Sequence, residues 1–334
     1  SFAFSDYVNV YGSFSPHNIK YLWPGIGLPV EERDYLDRTG ITAGFSWIPS
    51  GSETVMTMVS VSDTAHPPVK WLLECNRPET LTESGQVYAQ HGLQGVSRLM
   101  LFHINKTGRQ GFITLKVTPN KPTRVWLSGG IAGPDVSELL VGQRLVRSFF
   151  DHDSSTFGVD DEYTRTWSID PNQVLGGLLD IWTEPATAYN VEVFFHEDVQ
   201  MTGILPRLGS SPSFPYVQQE STIIIKEPTR RYNLSLGREG YLQAGKNILE
   251  GNYGVLHRFR VIFMHLGHYE ISFTANGGPA RLLARIHDQY WNGYAKVDTR
   301  VGGIRITTPQ EVIIETIPLP GSNYPATLTI QKKS

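Results

Sequence analysis

Cysteine is almost absent from this chain. Cys75 is the single one in 334 residues, so no disulfide can close within it. No run of 18 apolar residues occurs, which leaves no segment with the pattern of a membrane-spanning helix. Cations are not in excess either. The 29 Lys and Arg face 32 Asp and Glu, a net charge of −3, and this removes the basic stripe that a nucleic-acid partner requires. There is no GxSxG elbow, no phosphate loop, no dinucleotide fingerprint and no Cys/His pair of recognised spacing. Adjacent acids such as Asp160 and Asp161 would point to opposite faces of an extended chain, so no local carboxylate pair signals glycoside hydrolysis. Together these absences predict a non-enzymatic protein with no cofactor beyond calcium.

The chain opens SFAFSDYV, without Met. That is the pattern of a mature chain after removal of a signal peptide, and it predicts an extracellular or cell-surface location. A trimmed chain reads the same way. Cysteine-poor secreted chains suit Gram-positive bacteria, because eukaryotic secreted domains usually carry disulfides. Cys75 itself lies in the apolar run VKWLLECNR and reads as a buried, inert thiol.

What the sequence does contain is alternation. ETVMTMVSVSD (53–63), RLMLFHINK (98–106), GFITLKVTP (111–119), TRVWLSGG (123–130), YTRTWSI (163–169), LLDIWTE (178–184) and YNVEVFFHE (189–197) all alternate apolar with polar residues between turn formers. Residues 201–215, MTGILPRLGSSPSFP, lack periodicity and read as a linker. Strands resume at 221–227, 256–265, 269–275, 280–287, 303–308, 311–317 and 326–332. One segment breaks the pattern. In 133–151, Val136, Leu139, Leu140, Val146, Phe149 and Phe150 share a helical face, and Asp135 followed by Glu138 resembles a capping box. The expected fold is therefore all-β with one amphipathic helix at about 135–150. It comprises two β-sandwich domains in tandem, immunoglobulin-like or jelly-roll-like, at 1–198 and 216–334, joined by a linker at 199–215. The runs starting at Leu99 and Phe259 echo each other in spacing: strand, polar turn, strand, Pro-containing turn, strand.

Three stretches are candidate sites. DHDSSTFGVDDE (151–162) places Asp151, Asp153, Ser155 and Glu162 at the oxygen-ligand spacing of a calcium loop, although Thr156 stands where the sharp turn wants Gly. A solvated acidic turn is the alternative. In DQYWNGYAK (288–296), Asn292-Gly293 predicts a type I′ hairpin whose tip gathers Tyr290, Trp291 and Tyr294. Such aromatics could stack on sugars, pack on another subunit, or fold back on their own sandwich. His265 and His268 flank a predicted turn with no third ligand for zinc. Asn105 and Asn233 head two glycosylation sequons.

The third stretch, GNYGVLHRFRVIF (251–263), has a backbone meaning. Gly251, Asn252 and Gly254 tolerate positive φ, Tyr253 covers the turn, and His257, Phe259, Val261 and Phe263 then line one face of a strand. GNYGV, the closing IPLPGSNYPATLTI (317–330), LFHINKTG (101–108), ELLVGQRLVRSFF (138–150) and GGLLDIWTEPATAYNVEVF (176–194) resemble a group of uncharacterised secreted, envelope-associated β proteins of Gram-positive bacteria. They are similar, more distantly, to a cyanobacterial domain of unknown function. The resemblance covers residue 98 onwards. It implies an exported envelope protein and transfers no catalytic residue.

From this the expected function is a structural subunit of a cell-surface layer, filament or sheath that assembles with copies of itself. The alternatives are a carbohydrate-binding module for cell-wall or environmental glycans and a viral jelly-roll capsid protein. The missing basic arm argues against the last.

Overall fold

The computed structural model describes residues 47–333 except 51–52, 57–59, 63–66, 152–155, 185–186, 198–204, 228–230, 239, 287–288, 297–299 and 308–310. The first strands are β1 (Trp47–Ser50), β2 (Glu53–Met56), β3 (Ser60–Ser62), β4 (Val69–Cys75), β5 (Thr80–Leu81), β6 (Gly85–Leu93), β7 (Val96–Asn105), β8 (Gly111–Pro119) and β9 (Arg124–Asp135). Helix α1 (Glu138–Asp151) follows, then β10 (Thr156–Asp160), β11 (Tyr163–Ile169), β12 (Val174–Thr183), β13 (Tyr189–His196) and β14 (Ser213–Pro215). The second half runs β15 (Gln219–Ile225), β16 (Tyr232–Leu236), β17 (Gln243–Ala244), β18 (Asn247–Ile248), β19 (His257–Phe263), β20 (His268–Ala275), β21 (Ala280–Ile286), β22 (Gln289–Ala295), β23 (Arg300–Thr307), β24 (Glu311–Thr316) and β25 (Ala326–Lys332). The fold is all-β with one α-helix among the described residues.

Each half is a pair of facing sheets, and the two halves share one connectivity. In the first half, β4-β7-β12-β9-β10 form a sheet extended by β14 and β3, and it faces β11-β8-β13-β6. In the second, β15-β19-β24-β21-β22 face β23-β20-β25-β16. The strands correspond one to one in chain order. Even the opening pair matches, since β4 and β7 run parallel, as do β15 and β19. The sequence echo is thus a repeated topology: its first and third strands lie in one sheet and its second crosses to the facing sheet. The parallel pairs are a feature that alternation alone does not signal.

Alternation explains most of these strands. β19 buries His257, Phe259, Val261 and Phe263 and exposes Arg258 and Arg260. The inward faces build one core per half, Leu73, Tyr88, Leu115 and Phe195 in the first, Phe259, Tyr269, Phe273 and Leu328 in the second. β7 and β12 do not alternate, because all ten residues of each are buried. A third core covers their outer faces, where Met100, Phe102 and Leu178 meet Val141, Leu145, Val146, Phe149 and Phe150 of α1 and Leu283, Ile317 and Leu319 of the second half. Each side chain of this size contributes about 1.5–3 kcal/mol when fully buried. The helix is therefore a middle layer.

Three sequence expectations shift. The helix begins later than expected, because β9 continues to Asp135. Ser137 supplies the cap, its Oγ accepting from Leu140 N–H at 3.4 Å, while Asp135 accepts from Ser137 N–H and pairs with Arg144 at 2.7 Å. Val136 is 72% exposed and outside the helix, and the buried face is centred on Val141, Leu145 and Phe149. Asn292-Gly293 is no turn. It lies inside β22, in register with Leu283 and Leu282 of β21, and Gly293 faces Phe273. Finally, the described part of the expected linker is a strap on the first sandwich. Pro206 O and Leu208 N–H bond the backbone of Gln86, Pro212 O accepts from Glu74 N–H, and Phe214 is fully buried.

Candidate functional site

The GNYG turn sits where the two halves meet. Gly251, Asn252 and Gly254 all take positive φ, at 78°, 50° and 80°. Asn252 is fully buried. Its Oδ1 accepts from Leu242 N–H at 3.3 Å and its Nδ2 donates to Gly240 O at 3.4 Å, which holds the turn shut. Tyr253 donates its hydroxyl to Ser322 O at 2.7 Å and stands edge-on to Tyr324. A Cβ on Gly254 would lie 3.1 Å from Leu72 Cδ1 and 3.3 Å from Met100 Cβ, so this residue lies directly against the first sandwich.

Behind Gly254 is a buried ion pair. Arg98 of β7 and Asp180 of β12 are opposite each other in register and make two hydrogen bonds, at 2.7 and 2.8 Å, with side chains only 5% and 2% exposed. Arg98 also donates to Tyr216 Oη at 2.8 Å and to Gly254 O at 3.4 Å, and its guanidinium lies over the rings of Phe149 and Tyr216. Tyr216 Oη accepts again from Leu256 N–H. One cation therefore ties together two strands of the first sandwich, the helix, the strap and the turn opening the second sandwich. Such a pair adds little net stability, but removing one partner strands the other charge in a dry site.

The closing PLPGSN loop docks on the opposite side. A Cβ on Gly142 of α1 would collide with Pro320 O, and one on Gly321 would lie 2.7 Å from Glu138 O. Gln143 donates to Leu282 O at 3.2 Å and accepts from Arg281 at 2.9 Å. Between this loop, the GNYG turn and the first sandwich lies a polar notch of ≈ 170 Å³ lined in part by Asn76, Glu79, Glu138 and Asn323. Burial first and the Glu138 charge second raise the Glu79 carboxyl above its usual range. The GNYG and PLPGSN segments are thus both joint pieces.

The acidic segment does not stay one loop. Thr156–Asp160 form β10 against β9. Asp151 ends α1, where it pairs with Arg147 at 3.0 Å and accepts from Tyr290 at 2.9 Å. Glu162 heads β11 and binds Lys116 at 3.3 Å and Thr164 at 3.0 Å. The two described carboxylates are held by different cations on different elements, while Asp153 and Ser155 lie outside the described residues. Among the described residues no three His, Cys, Asp or Glu side chains gather as metal ligands.

The aromatic trio also separates, because β22 is a strand and alternates. Tyr290 faces α1, with Arg147 3.6 Å above its ring, and burial first and Asp151 second push its phenol up to about 12. Trp291 packs on the core of the second sandwich. Tyr294 is 42% exposed with Arg281 over its ring. The three offer no common platform for a sugar.

Cys75 is fully buried, its Sγ 3.2 Å from His103 Nε2, and His103 Nδ1 lies 2.9 Å from Pro78 O. Since that carbonyl can only accept, Nδ1 carries the proton and the thiol donates to Nε2. Burial pushes the thiol up and lowers His103 to about 4, so both are neutral. Sequence reasoning missed Arg98, Asp180, Tyr216 and Gln143. The available signal was one lone charge, of opposite sign, in each of two apolar runs, RLMLFHI and LLDIWT.

No family model matches the chain, and no curated protein matches it. Among solved structures it is similar to Lac15 from a marine microbial metagenome, with 10% identity and a TM-score of 0.18, over 80% of this chain. The matched region spans 63% of that protein.

Proposed function

We propose that the chain is a non-enzymatic structural subunit, exported to the cell surface, that assembles with copies of itself through contacts between β-sandwiches. The observation that carries this reading is the contrast between two equivalent faces. The outer face of β7 is wholly buried beneath α1 and the second half, whereas on β19 the outward Arg258 and Arg260 are exposed. That open face carries a groove of ≈ 390 Å³ lined by Glu220, Ser221, Thr222, Arg258, Arg260, Glu311 and Ile313. It holds both signs of charge, with Arg260 and Glu311 paired at 2.7 Å, which suits a self-complementary contact between identical copies.

Beside the groove runs an edge. β15 pairs with β19 alone among the described strands, and its residues 220–222 are exposed. The corresponding edge strand of the first half, β4, is covered by β14 of the strap, so the fold protects one edge and leaves the other available for strand pairing. The resemblance to envelope-associated proteins supports the same setting.

Electron microscopy of the purified chain, with and without calcium, tests the proposal. Regular filaments, tubes or sheets are expected, dispersing in a Ser221→Lys/Thr222→Lys variant that puts charge on the edge. Single particles of wild-type protein under every condition would overturn it.

A further inference from the structure

The shared connectivity makes a controlled comparison possible at the hairpin joining the first two strands of each echo. In the first half this is residues 106–110, between β7 and β8. It is polar and internally bonded: Asn105 Oδ1 accepts from both Thr107 N–H and Thr107 Oγ1–H, Lys106 reaches Asn172 at 2.9 Å, and Gln110 reaches Asp170 at 2.9 Å. In the second half it is residues 264–267, Met-His-Leu-Gly, between β19 and β20. There Met264 is 62% exposed and Leu266 is 70% exposed. Ile224, 44% exposed, lies beside them, because it is in register with Ile262 and Met264 N–H bonds Ile225 O. The fold does not require an apolar tip at this position, as its counterpart shows.

Cations ring the tip. His265 Nε2 lies 3.0 Å from Lys226 O, and Lys333 N–H bonds His268 O, which brings both lysines to this end of the sandwich. The Lys332 side chain lies over Gly267, and Arg231 is tied to Gln331 beside it. Against these four cations stand Glu227 and Glu270, and the latter is already paired with Lys333 at 2.6 Å. The local balance is positive in a chain whose net charge is −3. A second copy would need an apolar socket for Met264 and Leu266, yet the notch at the joint and the β19 groove are both lined mainly by polar and charged residues.

We propose that the 264–267 hairpin docks on an anionic lipid surface. Met264, Leu266 and Ile224 enter the boundary between headgroups and acyl chains, and Lys226, Arg231 and Lys332 meet the phosphates. Three apolar side chains give a single copy weak, reversible attachment, as one short lipid chain does. This attachment is independent of edge-to-edge assembly, because microscopy reads assembly in the absence of lipid.

Flotation of the full chain with a large excess of vesicles tests the inference. Binding is expected to vesicles containing phosphatidylserine, to be weakened by salt, and to be near background on pure phosphatidylcholine. A Met264→Ser/Leu266→Ser variant should bind at least tenfold less, while Lys106→Ser on the counterpart hairpin should bind as wild type. Circular dichroism melts establish that both variants fold. Because Cys75 is buried, Leu266→Cys offers one accessible thiol for an environment-sensitive dye, whose emission should shift to the blue with anionic vesicles. No flotation of wild-type protein, or flotation that survives the double serine variant, would overturn the proposal. A dye response that grows with protein concentration without lipid would do the same and assign the tip to a second copy.

Discussion

The two halves share a strand plan and differ in what covers it. The clearest case is one cross-strand ion pair that occurs in both. In the first half Asp180 of β12 faces Arg98 of β7. In the second, Glu315 of β24 faces Arg258 of β19 in the matching strands, 3.5 Å apart, and also holds Arg285 at 2.8 Å. The first pair is sealed under the helix and the GNYG turn, whereas Arg258 is 48% exposed. One topology thus supports a dry internal joint in one place and a wet surface in the other. The difference comes from α1, inserted between β9 and β10, where the second half has only residues 287–288 between β21 and β22.

Asp180→Ala should give the largest effect. It leaves Arg98 charged and unpaired in a dry site, a loss of about 3–5 kcal/mol, while Glu315→Ala, whose arginine partners can reach water, should lose about 1 kcal/mol or less. Urea denaturation of both variants measures this, and equal losses would break the comparison.

The corresponding strands β7 and β19 each bury one neutral histidine. Burial lowers both His103 and His257 to about 4. Between that value and the ordinary 6.5 the unfolded chain binds protons that the folded chain does not. Stability is therefore complete above about pH 6.5 and falls as pH drops to about 4, by on the order of 3 kcal/mol per histidine. The two differ in partners: His103 is bonded through both nitrogens, while His257 Nε2 has no hydrogen-bond partner among the described residues. His257→Phe should remove about half of the pH dependence with little loss at pH 7. An unchanged slope in thermal melts taken across that range would show that other groups carry it.

A smaller effect is expected from Gly142→Ala, where the new methyl must displace Pro320 from the helix. Overpacking of this kind costs about 1–3 kcal/mol. Because only the joint is strained, limited proteolysis should cut the chain between its halves faster than in wild type.

Much of the fold was legible because alternation reports one wet face, as β19 and β24 illustrate. Legibility failed where both faces are covered. The Gly176-Gly177 pair hid the start of β12, since these glycines read as a break but serve to let Val141 and Ile131 approach. Bulges in the pairing of β6 with β13 blurred its period. Asn292-Gly293 carried a turn signal that packing against Phe273 overrides. The joint itself was legible only as punctuation. GNYG and PLPG announce unusual backbone, but what each touches is set by long-range docking that no local window contains.

The strap gives the first half a late finish. β6 needs the backbone of residues 206–208, β4 needs 212–215, and Arg98 needs the hydroxyl of Tyr216. During synthesis every strand through β13 leaves the ribosome before its sheet edges can be closed. Completion waits about twenty residues beyond the last strand of the sandwich proper, and a chain arrested at residue 198 would present two open edges to its neighbours on the same messenger.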